Sequence, residues 1–452
     1  DALKSGGASS LNDALHSVVG LNTNQNGPFG ATSNIIIRGS DKRYVASYVD
    51  GIRVNDPSAV NGAFDGFGTL PAFGLTRVEV LKGSQSALYG GAAVAGAINI
   101  STLPDPVEQG TKQTYSAMGG SYGTIAGSYT LSQKVDALAL RFASSYLKTN
   151  GFSSADENDG NTETDGASSK LVSADVSYAL SDNLTIGLFG TTSQSKTDFD
   201  KQGPFDSLDS TSFNDSVALR AYAEYSAAGW DNKLSISRRT VDRESKTPGS
   251  FHSIFASERT VIDAQASKEL SDRLRLTLGA QRQVEDVTTE SISSATDKVT
   301  SNAIFGEAFF APDDITDVTL SMRREHSSSF GGINTGRLAG VRRLDSGISI
   351  RGAISNGYRA PTFGDLFGVF DETYQDFDYS VEPETPELDG NGNPTYTRYR
   401  TDGNPNLKPE TANSYELGFD ANYSAATKFS FTAFQTEIKD RIEYYDVNST
   451  TV

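Results

Sequence analysis

The sequence predicts a β protein: a wide transmembrane antiparallel up-and-down β-barrel preceded by a compact α+β domain. Three observations carry this reading. Apolar and polar residues alternate with period two, segment after segment, from about residue 111. Tight turns exchange regularly with long polar connections. Residues 1–108 follow neither pattern.

Within residues 1–108, one amphipathic helix is expected over Ser10 to Val19, with Leu11, Leu15 and Val18 on one side and Ser10 or Asn12 as cap. Short strands are expected in "NIIIRG", "YVASYVDG", "RVEVLKG" and "AINIST". Pro104 and Pro106 mark the boundary with the segment 109–452. Between the last two strands lies a run of Gly, Ala and Ser, "GSQSALYGGAAVAGA". It is not a phosphate cradle, because its only nearby lysine, Lys82, precedes the glycines, and Gly90, Gly91 and Gly96 lack dinucleotide-fingerprint spacing. So little side-chain volume suits backbone packed tightly against other backbone in a confined space.

In the segment 109–452, "ALALRFASSYL" sets Leu138, Leu140, Phe142 and Tyr146 against Ala139, Arg141, Ala143 and Ser145. "LRAYAEY", "LRLTLGAQ" and "SYELGFDANYS" repeat the scheme, one face apolar and one charged. A soluble sandwich has the same period, so the connections decide. Those at 133–136, 180–183, 228–232, 270–273, 312–314 and 344–346 are tight, whereas those at roughly 150–166, 198–212, 245–256, 290–299 and 359–407 are long and polar. A strict short-long alternation places all tight turns on one side of a membrane and all long loops on the other. About fifteen strands fit between 111 and 440.

Composition agrees. Gly (43), Tyr (19) and Phe (24) are abundant in 452 residues, which suits strands better than helices. No run approaches the length of a transmembrane helix, and alternating barrel strands would leave none. A formal net charge of -18 excludes nucleic acid as a partner, and the absence of Cys excludes thiol chemistry and disulfides. The three histidines, His16, His252 and His326, have neither metal-ligand nor nucleophile-base spacing, so the chain is not expected to be an enzyme.

The motifs resemble those of the TonB-dependent outer-membrane receptors. That family's lumenal plug carries Ile-Arg-Gly, Asp-Gly, Arg-Val-Glu-Val with Lys/Arg-Gly, Ala-x-Tyr-Gly and Gly-x-Ile-Asn-Ile; these match Ile37-Arg38-Gly39, Asp50-Gly51, Arg77 to Gly83, Ala87 to Gly90 and Gly96 to Ile100. "YRAPTFGDLF" (358–367) and "NPNLKPETANSYELG" (404–418) are similar to its two barrel boxes. The resemblance implies a plug over 1–108 and a barrel over 109–452, in the outer membrane of a Gram-negative bacterium. It also implies a non-enzymatic importer of a small-molecule ligand, coupled to the TonB complex on the periplasmic side and surrounded by outer-membrane lipid. In the family pattern "NPNLKPE" opens roughly the fourteenth of about twenty-two strands, so further strands are expected beyond Val452, and a coupling segment before Asp1. A passive diffusion channel and a soluble β-rich binding protein are the competing classes; plug motifs disfavour the first.

Expected site residues follow from these assignments. Plug apices 23–33 and 53–64 should offer Asn26, Phe29, Asn55, Asp56 and Asn61 to a ligand, and the long segment after the first box Tyr374, Phe377 and Tyr379. Arg38, Arg77, Glu79 and Lys82 should pair with charges on the barrel's inner wall. The acidic loops 153–170 and 197–210 resemble the paired calcium loops of the cobalamin-transporter type, implying Glu163, Asp165, Asp200 and Asp209 as Ca²⁺ ligands. With no His between the boxes and few basic residues at the apices, a corrinoid is favoured over a ferric siderophore, and heme is disfavoured.

Overall fold

A computed structural model describes residues 8–155, 163–200, 210–247, 251–289, 298–344, 347–375, 377–378, 385–386, 396–424, 427–443 and 449–451. The chain opens with helix α1 (Leu11–Leu15), capped by a reciprocal box in which Ser10 and Asp13 satisfy each other's backbone N–H groups. The helix ends four residues short of the expected Val19, because His16 bonds back to Asp13 and the chain turns through Gly20 at positive φ. A hairpin of β1 (Leu21–Gln25) and β2 (Ser33–Ile37) follows.

A four-stranded sheet forms the centre of this domain, in the order β4 (Ile52–Arg53), β3 (Val45–Val49), β6 (Gly96–Ser101), β5 (Arg77–Lys82). Asp50 and Gly51 both have positive φ and close the two-residue β3–β4 hairpin, which is why Asp-Gly stands there. Helix α2 (Ser86–Tyr89) and the glycine-alanine run link β5 to β6. Gly96 admits no side chain: a Cβ would fall 2.1 Å from the Leu81 carbonyl oxygen across the β5–β6 ladder. The core beneath the sheet is Leu11, Leu15, Ile35, Ile37, Phe67, Leu75, Ile98 and Ile100.

The barrel wall is β7 (Gly110–Gly120), β8 (Thr124–Val135), β9 (Leu138–Thr149), β10 (Ala167–Ser181), β11 (Leu184–Asp198), β12 (Thr211–Ala227), β13 (Trp230–Thr247), β14 (Phe251–Ser271), β15 (Leu274–Thr289), β16 (Val299–Asp313), β17 (Thr316–Ser327), β18 (Gly331–Arg343) and β19 (Ile348–Arg359). Then come α3 (Phe363–Phe367) and a small outer segment in which β20 (Val369–Gln375) pairs with β23 (Tyr396–Asp402), and β21 (Phe377–Asp378) with β22 (Thr385–Pro386). The wall resumes with β24 (Glu410–Asn422) and β25 (Lys428–Lys439); β26 (Ser449–Thr451) pairs with β23. The fifteen wall strands form one antiparallel sheet in chain order, with β7 and β25 at its ends.

Leu188, Leu219, Leu234 and Leu417 are exposed on one face of the wall, while Asp175, Arg239, Arg259 and Arg323 are buried on the other, against the N-terminal domain. Such an inverted distribution suits a lipid-facing exterior and a polar lumen. No described helix is long and apolar enough to cross a membrane. The tight turns fall where expected, but the opposite end is less uniform: β7–β8 and β17–β18 are joined there by short links, 121–123 and 328–330. The long strands β13 and β14 absorb most of the loop expected at 245–256 into their own ladder.

Candidate functional site

The two apical loops of the plug lie at the long-connection end. Asn55 and Asp56 are buried beneath the apex rather than displayed on it. Asn55 accepts from the Ser47 N–H and donates to the Val45 and Gly62 carbonyls, fixing the loop to β3. Asp56, 5% exposed, accepts from Ser58 and from barrel Ser257 (2.8 Å), and lies 2.9 Å from Arg243 of β13. Burial alone would raise its carboxyl; Arg243 and Arg239 outweigh that and hold it below the usual range. Asn61 orders its own turn through the Ala63 N–H, Asn26 is exposed and Phe29 is half-buried.

Beside this apex the two barrel boxes meet. Arg359 and Glu410 face each other in the β19–β24 register and pair at 2.8 Å, nearly fully buried, with Asp365 at 3.3 Å from the same guanidinium. Asp365 also completes the capping box of α3 with Thr362, whose hydroxyl donates to the plug carbonyl of Val60. Burial and then Glu410 push the Tyr44 hydroxyl of the plug up to about 12. This junction was missed in the sequence, where Arg359 and Glu410 are 51 residues apart. A cavity of about 90 Å³ opens here, lined among others by Arg43, Arg53, Asn61, Arg259, Glu285 and Glu325.

The glycine-alanine run lies against β17–β19. Ser84 donates to the Asn356 carbonyl (3.0 Å), the Ala92 N–H to the Tyr358 carbonyl (3.0 Å), and Gly91 leaves room for the Tyr358 ring. Further contacts between plug and wall are hydroxyl to hydroxyl: Thr102 Oγ1, held by Asp50, is 2.9 Å from Ser173 Oγ, which is itself 2.9 Å from Thr191.

Of the four expected charge contacts, Arg38 pairs with Glu416 of β24 at 2.6 Å. The others correct the expectation. Arg77 and Glu79 pair with each other, because on edge strand β5 both point to the same open side. Lys82 donates to the Val19 carbonyl inside the plug; burial, then Arg38 and Arg351, lower its pKa. Other crossings include barrel arginines donating to plug carbonyls: Arg220 to Asp50, Arg259 to Arg53 and Asn55, and Arg337 to Ser84.

Glu163, Asp165 and Asp200 converge, with one carboxylate oxygen of each within 4.8 Å of the others. Ser154 caps Asp165 through its N–H (2.8 Å) and hydroxyl, and the Ala155 N–H donates to Asp200 (2.8 Å). Glu163 Oε2 and Asp200 Oδ1 are buried with no hydrogen-bond partner. Burial raises the pKa of both Asp165 and Asp200, and their acidic neighbours push the same way. The cluster touches the plug: a Cβ on Gly27 would fall 2.3 Å from Ser154 Oγ. Oxygen-only donors with orphaned lone pairs fit a hard cation such as Ca²⁺. Asp209 and Tyr379 lie outside the described residues; Tyr374 falls in β20 and Phe377 in β21.

Residues 104–452 match the family described as TonB dependent receptor-like, beta-barrel, and residues 1–97 the TonB-dependent receptor plug domain. The chain belongs to the TonB-dependent receptors. These are outer-membrane proteins of Gram-negative bacteria, and that is its location. It is similar to a vitamin B12 transporter BtuB of Photobacterium profundum (26% identical, 97% of this chain and 65% of the relative). It is also similar to an iron-regulated outer membrane virulence protein of Vibrio cholerae (26%, 96% and 64%). Among solved structures, the siderophore receptor PirA from Acinetobacter baumannii superposes with a TM-score of 0.77 at 20% identity, over 96% of this chain and 68% of that one. The chain spans about 65% of the length of the curated relatives it matches.

Proposed function

We propose that this TonB-dependent receptor imports a large, scarce nutrient across the outer membrane, energised by the TonB complex on the periplasmic side, with cobalamin or a related corrinoid as its ligand. The observation that carries the corrinoid reading is the convergence of Glu163, Asp165 and Asp200 beside plug loop 23–33. Glu163, Asp165 and Asp200 would hold Ca²⁺, and the ion would neutralise carboxylates that otherwise repel one another, fixing the two outer connections against the plug apex. The similarity to vitamin B12 transporters supports the same reading.

A ferric siderophore is the alternative. It is favoured by the cavity under the apex, where the Arg43 and Arg53 guanidiniums suit an anionic group, while Arg259 and Arg359 are already paired with Glu285 and Glu410. The test is equilibrium binding of cyanocobalamin and of a panel of ferric siderophores to the intact receptor with Ca²⁺ present. Tight cobalamin binding that is lost on chelation supports the corrinoid reading. Tight siderophore binding with no cobalamin binding overturns it and leaves the importer standing.

A further inference from the structure

On the outer, lipid-facing side of the wall, a depression of about 480 Å³ lies across β12 to β15. Its floor is small: Ala223, Ala264 and Ala266 stand where adjoining parts of the wall expose Ile236, Ile262 and Ile304. Tyr225, Leu234 and Leu278 rise around it, all exposed. The register sets large against small, since Ala223 and Ala264 flank Leu234 across the ladder and Ala266 faces Leu278. The one charged residue along the lining, Lys233, is paired with Glu224. A volume of this size falls within the roughly 300–1,000 Å³ of ligand pockets, and an apolar lining gives water no partners. Hydrocarbon is what fits.

A cation stands at one end of the depression. Lys268 follows Ala266 by two residues on the same face of β14, about 7 Å nearer the tight turns, which lie on the periplasmic side of such barrels. Its ammonium donates to the Ala228 carbonyl at 2.9 Å and lies 5.7 Å from the centre of the Trp230 ring. An indole at this end of a strand marks the depth of the lipid headgroups. The carboxylates closest in sequence are engaged elsewhere: Glu269, on the opposite face, pairs with Arg275, and Asp231 accepts from Ser226. Among the described residues Lys268 has no ion-pair partner, and an ammonium has three N–H donors, of which the Ala228 carbonyl takes one.

We propose that this depression and Lys268 form a binding site for one glycerophospholipid of the periplasmic leaflet. An acyl chain lies over Ala264 and Ala266, and the phosphate accepts from Lys268 beside Trp230. The lipid is a retained part of the receptor, distinct from the exchangeable lipid around the rest of the wall. The site is separate from the Glu163, Asp165, Asp200 cluster and stands whichever nutrient is imported.

Trp230 is the only tryptophan among the 452 residues, so the site carries its own optical reporter. The intact receptor, stripped of lipid in detergent, is titrated with phosphatidylglycerol brominated on its acyl chains, and the quenching that Trp230→Phe removes is assigned to this site. That quenching should saturate at one lipid per receptor. Ala266→Phe, which fills the floor and leaves the charge, should abolish the saturable phase, and Lys268→Gln should weaken the affinity about fivefold. Brominated diacylglycerol, which lacks the phosphate, should bind the parent about fivefold more weakly and be indifferent to Lys268→Gln. Heat-modifiable migration shows that each variant is folded, so a lost signal reports binding. Quenching that rises with lipid content without saturating, a saturable phase that survives Ala266→Phe, or equal affinity for the phosphate-free lipid overturns the assignment.

Discussion

The apical loop 54–64 and the edge strand β5 each carry an ion pair of the same chemistry, yet the two are not equivalent. Asp56–Arg243 crosses from plug to wall with side chains 7% and 20% exposed; Arg77–Glu79 stays within one strand at 69% and 43%. Water screens the second pair almost completely, whereas the first sits where a lost partner leaves a bare buried charge. The plug is therefore electrostatically latched at its apex, and its edge strand contributes nothing comparable.

Asp56→Ala should have the largest effect: it removes the carboxylate that Arg243 and Arg239 share beneath the apex and leaves Arg243 only Asp65, at 3.7 Å, so plug docking should weaken by about 3–5 kcal/mol. Denaturant unfolding and planar-bilayer conductance read this, and a parental midpoint with a silent bilayer trace would abolish the latch. Next is Gly96→Ala, where the new methyl meets the Leu81 carbonyl; a loss of about 1–3 kcal/mol is expected from the plug alone. Near-parental stability would mean the β5–β6 ladder gives way freely.

The acidic cluster sharpens the comparison through pH. Folding raises the carboxyls of Asp165 and Asp200 above their ordinary value of 3.8, so the folded loops bind protons more readily than the unfolded chain. Their contribution to stability is therefore full below pH 3.8 and is lost as pH rises through the raised values. Ca²⁺ must displace those protons, so its affinity should fall on acidification, by up to about tenfold per pH unit for each proton displaced. Calorimetry across pH 4 to 7 measures this slope; a flat profile would remove these carboxylates from the ligand set. The smallest effect is expected for Arg77→Ala, within about 0.5 kcal/mol of the parent. A larger loss would show that β5 bears load after all.

The wall was legible because period-two alternation is written into each strand separately, and "LRAYAEY" or "LRLTLGAQ" needs no partner to be recognised. The short links at 121–123 and 328–330 were not, since Gly and Ser at a hairpin look alike at either end of a barrel. Charge partners were the least legible. Arg38 and Arg77 both stand at an end of a short plug strand, and only the third dimension gives one Glu416 and the other its own neighbour Glu79. The acidic residues Glu163, Asp165 and Asp200 could be named because composition concentrates them in two connections.

The chain of Thr102, Ser173 and Thr191, together with Ser84 against Asn356, has a mechanical meaning. Neutral hydroxyls can trade one another for water at little net cost, because each lost contact is replaced in kind. Along this flank the plug rests on a wettable bearing: water can take the place of each hydroxyl contact and give it back, so this seam can part and close again without unfolding either side.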